Sequence, residues 1–390
     1  MKKIRLLLAA FLSLLLISSS SIVASAAEST HGLANSYLNL LQQTEIDKFL
    51  KVQKNRDSTC PWTSSTVTSQ VIPTYNLKDN INGYIVNLSS NNKPNGYLVY
   101  VLADNDKPIL SEFGYDGTFT IGGKDPYAQI KSNDKKLINV QMLNFLIKDS
   151  QQLVNMDGTN ISKFENVLQE EVSKTQLKIN EIVYQEQLKD LQKSQVIYDQ
   201  HDVSNVWSTA FVPLVMNSYP NWSNAGCTVV CGGNMLKYWG ACRGIANLYN
   251  DGPKLSNTLD QLGATMHTIN KAPILGQIFN GTTNQNGYNG MGEYISSNTT
   301  YLGSDYADTP TWRWMMVNIG HDIPLCLNAD VHGFENDSRY GGHSFFAIGY
   351  QDTSTGQYIR VINEWDTSKS HFYNYSLYND QISFAWYYRF

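Results

Sequence analysis

The sequence predicts an α+β protein of two domains, and three observations carry that expectation. The chain has 390 residues, beyond the usual size of a single hydrophobic core. A charged, Gln-rich stretch near residues 161–202 separates two regions of different composition. After it, a helical pattern comes first and β-rich runs follow, the order of an α+β rather than an alternating α/β chain.

At the N-terminus, Lys2, Lys3 and Arg5 precede the apolar run Leu6 to Ile17, and Ala24-Ser25-Ala26 supplies small residues for cleavage. Residues 1–26 are therefore expected to be a signal peptide, and the chain to be secreted and extracellular. The run is shorter than the roughly 20 apolar residues a membrane span needs, and no later segment reaches that length. Cleavage removes three positive charges and takes the formal net charge from −5 to −8. With no Lys/Arg stripe on an acidic chain, neither a nucleic acid nor an anionic membrane is an expected partner.

Residues 34–51 carry a helical pattern, and "GYIVNLS" (83–89) and "GYLVYVLAD" (96–104) are β-rich runs around the turn-forming "SNNKPN", which reads as a hairpin. A strand at Ile109 to Gly114 and the turn "YDGT" extend it to a meander. From Asn133, apolar residues at 137, 138, 142, 145 and 146 are spaced for one helical face, with Asn133 or Asp134 placed to cap it. Residues 161–202 read as a charged linker or a solvated helix. Beyond them, an extended segment punctuated by Pro213 and Pro220 leads to a helix from about Cys227 to Trp239. "TPTWRWMMVNIG" reads as a helix ending at Gly320 and Ile323 to Asn328 as a strand. "GGHSFFAIGYQ" and "YIRVINEW" are two further strands joined by "DTSTGQ".

The chemistry-bearing residues lie in this second region. The five cysteines, Cys60, Cys227, Cys231, Cys242 and Cys326, are an odd number, so at least one thiol is left over in an exported chain. Cys227 is in the first turn of its helix, where unpaired N–H groups and the positive end of the dipole stabilise a thiolate. Cys231 lies one turn further in and faces the core; Cys242 and Cys326 read as buried small hydrophobes. A Cys227/Cys231 metal site would need two more ligands, and no partner motif supplies them. Of seven histidines, His343 is placed best as a base, opening an apolar strand after two glycines. His321 and His332 lie near loops, and His31, His201, His267 and His371 read as surface residues. Asn363, 20 residues after His343 on the next strand, is placed to orient the imidazole, with Asp366 as competitor. The order Cys, His, Asn fits the papain-like arrangement. An oxyanion would be held by the Cys227 N–H, with the side-chain amide of Asn217, ten residues upstream, as second donor.

The stretch "GCTVVCGGNMLKYW" resembles the nucleophile region of streptopain-type cysteine peptidases, which are papain-like, and of the related bacteriocin-leader-processing peptidase-like domains. "GGHSFFAIGY" is similar to their histidine strand and "VINEW" to their Asn/Trp strand; together the matches cover about 190 residues. The resemblance implies a papain-like catalytic domain over 203–390, with Cys227 as nucleophile, His343 as general base and acid, Asn363 as orienting residue and Trp365 as a shield. Relatives of the leader-processing type carry Asp where Asn363 stands and "Cys-Gly-Pro" where this chain has "Cys-Gly-Gly" at 231–233, which keeps Asp366 and Cys231 as alternatives. They carry Gln where this chain has Asn217. Residues 83–117 look like the pro-domain of streptopain-type zymogens. That implies that 27–160 is an inhibitory pro-domain, an intramolecular inhibitor removed by cleavage between about 160 and 203.

The expected activity is thus that of a secreted thiol protease made as a zymogen, acting on protein or peptide substrates without a metal or other cofactor. A transglutaminase-like acyltransferase on the same fold and a catalytically inactive secreted binding module are the alternatives.

Overall fold

In a computed structural model, the chain is described over residues 40–390, apart from stretches at 131–134, 142–143, 151, 156–157, 159, 189–196, 223–225, 250–253, 269–280 and 330–341. The expected signal peptide at 1–26, the start of the helix expected over 34–51, His31 and His332 lie outside the described residues.

The first half opens with helix α1 (Leu40–Arg56), then the antiparallel meander β1 (Val67–Tyr75), β2 (Ile81–Ser90), β3 (Lys93–Leu102) and β4 (Pro108–Gly114). The β2–β3 hairpin turns through Asn91 and Asn92, both with positive φ (52° and 62°). That pair of left-handed residues gives a turn twist that matches the strands it joins. The helix expected from Asn133 is not there: residues Lys135–Gln141 and Asn144–Asp149 form an antiparallel hairpin, β5 and β6, followed by β7 (Gln152–Val154). Leu137, Ile138, Val140, Leu146 and Ile147 are all buried. A strand buried on both faces loses its alternation and imitates helical spacing. The charged stretch contains a long helix, α2 (Glu165–Leu188), and then β8 (Ile197–Asp202).

The second half opens with α3 (Cys227–Lys237), which runs on through a π-turn to Cys242. Helices α4 (Lys254–Thr265) and α5 (Asn284–Asn298), strand β9 (Gly303–Asp308) and helix α6 (Trp312–Gly320) follow. The chain closes with β10 (Leu325–Ala329), β11 (His343–Thr353), β12 (Gly356–Ile362), β13 (His371–Asn374) and β14 (Ile382–Arg389). One mixed sheet contains all these strands, in the order β7-β6-β5-β1-β2-β3-β4-β13-β12-β11-β10-β14-β9, with β8 pairing the far half of β11. The two halves are joined in it by β4 and β13, with Phe113 opposite Phe372. Residues 40–390 form one compact unit.

Helix α3 is the centre of the larger core. Val229, Val230, Met235 and Leu236 are fully buried against β10, β11 and α4. Gly232 and Gly233 allow the close approach of α4: a Cβ on Gly233 would lie 2.6 Å from Leu259. Cys231 and Cys326, expected as separate buried thiols, form a disulfide that ties α3 to β10, their Cα atoms 6.1 Å apart.

A buried charge cluster ties the halves together. Arg360 on β12 is 2 % exposed and hydrogen-bonds Asp57 (2.9 Å), Thr59 (2.7 Å) and Asp202. Asp57 also accepts from Tyr115 (2.6 Å) and Gln351 (2.8 Å). The guanidinium lies 4.3 Å from the Phe372 ring centroid.

Candidate active site

Helix α3 starts where the sequence predicts. Gly226 is its N-cap and offers no side-chain cap. No other residue fits there, since a Cβ would lie 2.4 Å from that of Trp222. Cys227, the first helical residue, is therefore next to uncapped N–H groups, partly exposed and free of any disulfide. Cys231, the alternative nucleophile, is fully buried with its sulfur bonded to Cys326.

The antiparallel register of β11 and β12 pairs Phe346 with Ile362. Residues just before the one and just after the other are thereby brought side by side, which is how His343 meets Asn363 and Trp365. His343 Nε2 lies 2.8 Å from the backbone carbonyl of Asn363. A carbonyl only accepts, so Nε2 carries the hydrogen and Nδ1 is left as the basic nitrogen. The indole of Trp365 stacks on the imidazole, with centroids 4.4 Å apart and planes 20° off parallel. The His343 ring hydrogen-bonds the side chain of Cys227.

Burial raises the Cys227 thiol, but the hydrogen bond and charge of His343, with the backbone of Ser344, outweigh it and bring the pKa down to about 7. Ser344 is locked in a polar string, with its hydroxyl 2.7 Å from that of Thr228 and 2.9 Å from Asn328 Oδ1. Asn328 in turn donates to Asn284 (2.7 Å).

Three sequence-based placements change. Asn363 meets His343 through its main chain, not its amide; its Oδ1 accepts the N–H of Trp365 (3.0 Å) and its NH₂ serves Asp366. Asp366, the competing orienting residue, pairs with His371 at 3.0 Å instead of with His343. His371 is thus a buried, doubly bonded residue on β13 and not a surface one. Asn217 is exposed on the 3₁₀ turn Met216–Ser218, which the bond from Met216 N–H to Glu364 carbonyl (2.9 Å) fixes beside the Trp365 segment. Its amide makes no hydrogen bond to the described residues. The turn at Gly122–Gly123 lies against it: a Cβ on Gly123 would be 3.3 Å from Asn217 Nδ2 and 3.5 Å from the Trp365 carbonyl.

Glu364 and Glu112 are buried carboxyls that no motif in the sequence singles out. Glu364, fully buried at φ 67°, has its pKa pushed well above the carboxylate range by burial first and the charge of Cys227 second. Glu112 on β4 accepts from Tyr97 (2.5 Å); burial, opposed by that bond and by the charge of His371, pushes it up to about 7. Because that value exceeds the ordinary 4.5, the folded chain holds a proton that the unfolded chain releases. The resulting stability is complete below 4.5 and is lost as pH rises through 7. Glu112→Gln keeps an acceptor for Tyr97 and cannot ionise, so it is expected to shrink the stability difference between pH 5 and pH 8 by on the order of 2 kcal/mol. Urea unfolding at the two pH values measures this; an unchanged difference contradicts it.

Among the described residues no group of three or more His, Cys, Asp or Glu side chains could hold a metal ion. Among them, too, no helix is long and apolar enough to cross a membrane.

No protein-family model matches the sequence. No curated protein is similar to it. Among solved structures, it is similar to a chain from Bacillus anthracis described as a C39-like peptidase, with 13% identity and a TM-score of 0.33, over 48% of this chain and 97% of that one.

Proposed function

We propose that this chain is a secreted cysteine endopeptidase made as a zymogen, with Cys227 as nucleophile and His343 as its base. The observation that carries the reading is the state of the His343 ring. With Nε2 donating to the Asn363 carbonyl and Trp365 covering one face, Nδ1 is the ring nitrogen left to serve Cys227, whose thiol the hydrogen bond and charge of His343 bring down against burial. In the reaction, Nδ1 takes the Cys227 proton and the thiolate attacks a peptide carbonyl carbon. The tetrahedral oxyanion is held by the Cys227 N–H and the Asn217 amide. Its collapse breaks the C–N bond, His343 gives its proton to the leaving amine, and a thioester remains. Water, deprotonated by the same imidazole, then attacks the thioester and returns free Cys227.

Residues 27–160 are proposed as the inhibitory segment and 203–390 as the catalytic domain. The contact of the Gly122–Gly123 turn with Asn217 and Trp365 supports this, because it occupies the approach to the proposed oxyanion donor. Signal-peptide removal followed by cleavage within 161–202 would release the active form.

The test is to follow the secreted chain by mass spectrometry while assaying casein hydrolysis. A new N-terminus within 161–202 that coincides with the onset of hydrolysis, and inactivation by iodoacetamide that maps to Cys227, are the expected results. Hydrolysis by the uncut chain would contradict the zymogen. Inactivation without a label on Cys227, or no hydrolysis of any unfolded protein after cleavage, would contradict the peptidase.

A further inference from the structure

The pair of buried His371 and part-exposed Asp366 has no part in the reaction as written, yet it is the anchor behind Asn363. Asp366 holds the Asn363 amide and is itself fixed by the Ser368 N–H (2.8 Å) and by His371 Nε2, at 3.0 and 3.2 Å from its two oxygens. The other nitrogen of His371, Nδ1, lies 2.7 Å from the hydroxyl of Tyr97. That hydroxyl spends its hydrogen on Glu112, so towards His371 it accepts. With Glu112 ionised both ring nitrogens donate and His371 is an imidazolium, a charge that burial opposes and Asp366 supports, on a side chain 4 % exposed. Its titratable neighbours come from every side: Asp366 from the loop after β12, Glu112 from β4 and Asp116 from the following turn, with the phenols of Tyr97 (β3) and Tyr373 (β13) facing the same cluster.

The consequence follows along the chain of bonds. With its amide committed to Trp365 N–H and Asp366, Asn363 cannot rotate, and its carbonyl is held against His343 Nε2. We infer that His371 and Asp366 are positioning residues for the proposed Cys227–His343 pair: they fix Asn363 and Trp365, and through these the orientation and tautomer of the His343 imidazole. Tyr97 and Glu112 on the β3–β4 hairpin grip the far side of His371, so the first half of the chain has a hand in how the site is set.

The inference rests on the peptidase reading, and the pH dependence of Cys227 alkylation by iodoacetamide, in the full chain with the site mapped by mass spectrometry, separates the two. Asp366→Asn and His371→Gln are the variants. A purely electrostatic influence would give them opposite shifts, because one removes a negative and the other a positive charge from one place. Loss of position gives both the same upward shift, with Cys227 labelling at pH 6 slowed on the order of tenfold. That common shift is the expected result. Opposite shifts, or none, in variants of a chain whose wild-type Cys227 titrates near 7 overturn the inference and leave the peptidase reading standing. A wild-type Cys227 that titrates as an ordinary thiol overturns the reading and the inference with it. Should His371→Gln not fold, Tyr97→Phe takes its place: it frees Nδ1 without changing charge, and an unchanged Cys227 profile in it overturns the inference.

Discussion

Cys227→Ala is expected to abolish hydrolysis, with a loss on the order of 10⁴-fold or more in kcat, because the residual rate then depends on binding and oxyanion contacts alone. The Cys227 sulfur is the one whose surroundings favour the thiolate. It starts α3 beside uncapped N–H groups, and His343 and Ser344 both hydrogen-bond it. The other cysteines differ in chemistry. Cys231 and Cys326 are joined to each other. Burial pushes the thiol of Cys60 up to about 12 and raises that of Cys242. The double variant Cys231→Ser/Cys326→Ser therefore makes a sharp control: it loses stability but keeps measurable casein hydrolysis. A Cys227→Ala chain that still hydrolyses casein at more than about one-hundredth of the parent rate would contradict the assignment.

Asp57→Ala is expected to cost about 3–5 kcal/mol of stability, the range for breaking one partner of a buried ion pair. Arg360 and Asp57 are 2 % and 3 % exposed, so neither charge is dissolved by water. Removal of Asp57 leaves Arg360 Nη2 only Thr59 on that side, and takes one acceptor each from Tyr115 and Gln351, which keep Gln53 and the Tyr115 hydroxyl as their remaining partners. Asp202 remains on the other side of Arg360 and limits the loss. Asp57→Asn, which keeps the acceptor oxygen, should lose less. Urea unfolding of the three chains decides; an Asp57→Ala cost below about 1 kcal/mol would mean that Asp202, Thr59 and the aromatic rings around Arg360 suffice to carry its burial.

Much of the site's scaffold was legible because its residues announce themselves locally. Gly226-Cys227 opening a helix, an apolar strand beginning at His343, and a short turn to the strand ending at Ile362 all rest on neighbours in sequence. The β2–β3 hairpin was legible for the same reason. What failed was non-local. Helix α5 holds Gly287, Gly290 and Gly292, a composition that argues against a helix. The glycines are there because other chains come close: a Cβ on Gly290 would lie 2.4 Å from the Met266 backbone. The hairpin β5–β6 imitates a helix in its spacing because both its faces are covered. The disulfide joins cysteines 95 residues apart, and no local pattern pairs them. His371 looks like any surface histidine until Tyr97, 274 residues away, and Asp366 close its two nitrogens. The orienting residue shows the finest limit. The sequence placed Asn363 beside His343, but whether the side chain or the carbonyl makes the bond depends on backbone geometry that no residue type encodes.

The proposed chemistry depends on Cys227 and His343 sharing a proton, and the rate of Cys227 alkylation as a function of pH, in the parent chain and in His343→Ala, measures that directly. The parent should label at Cys227 with an inflection near 7, and His343→Ala should move the inflection above about 8, toward a free thiol. An inflection that stays in place when the imidazole is removed, or a parent Cys227 that labels no faster than Cys242, would contradict it.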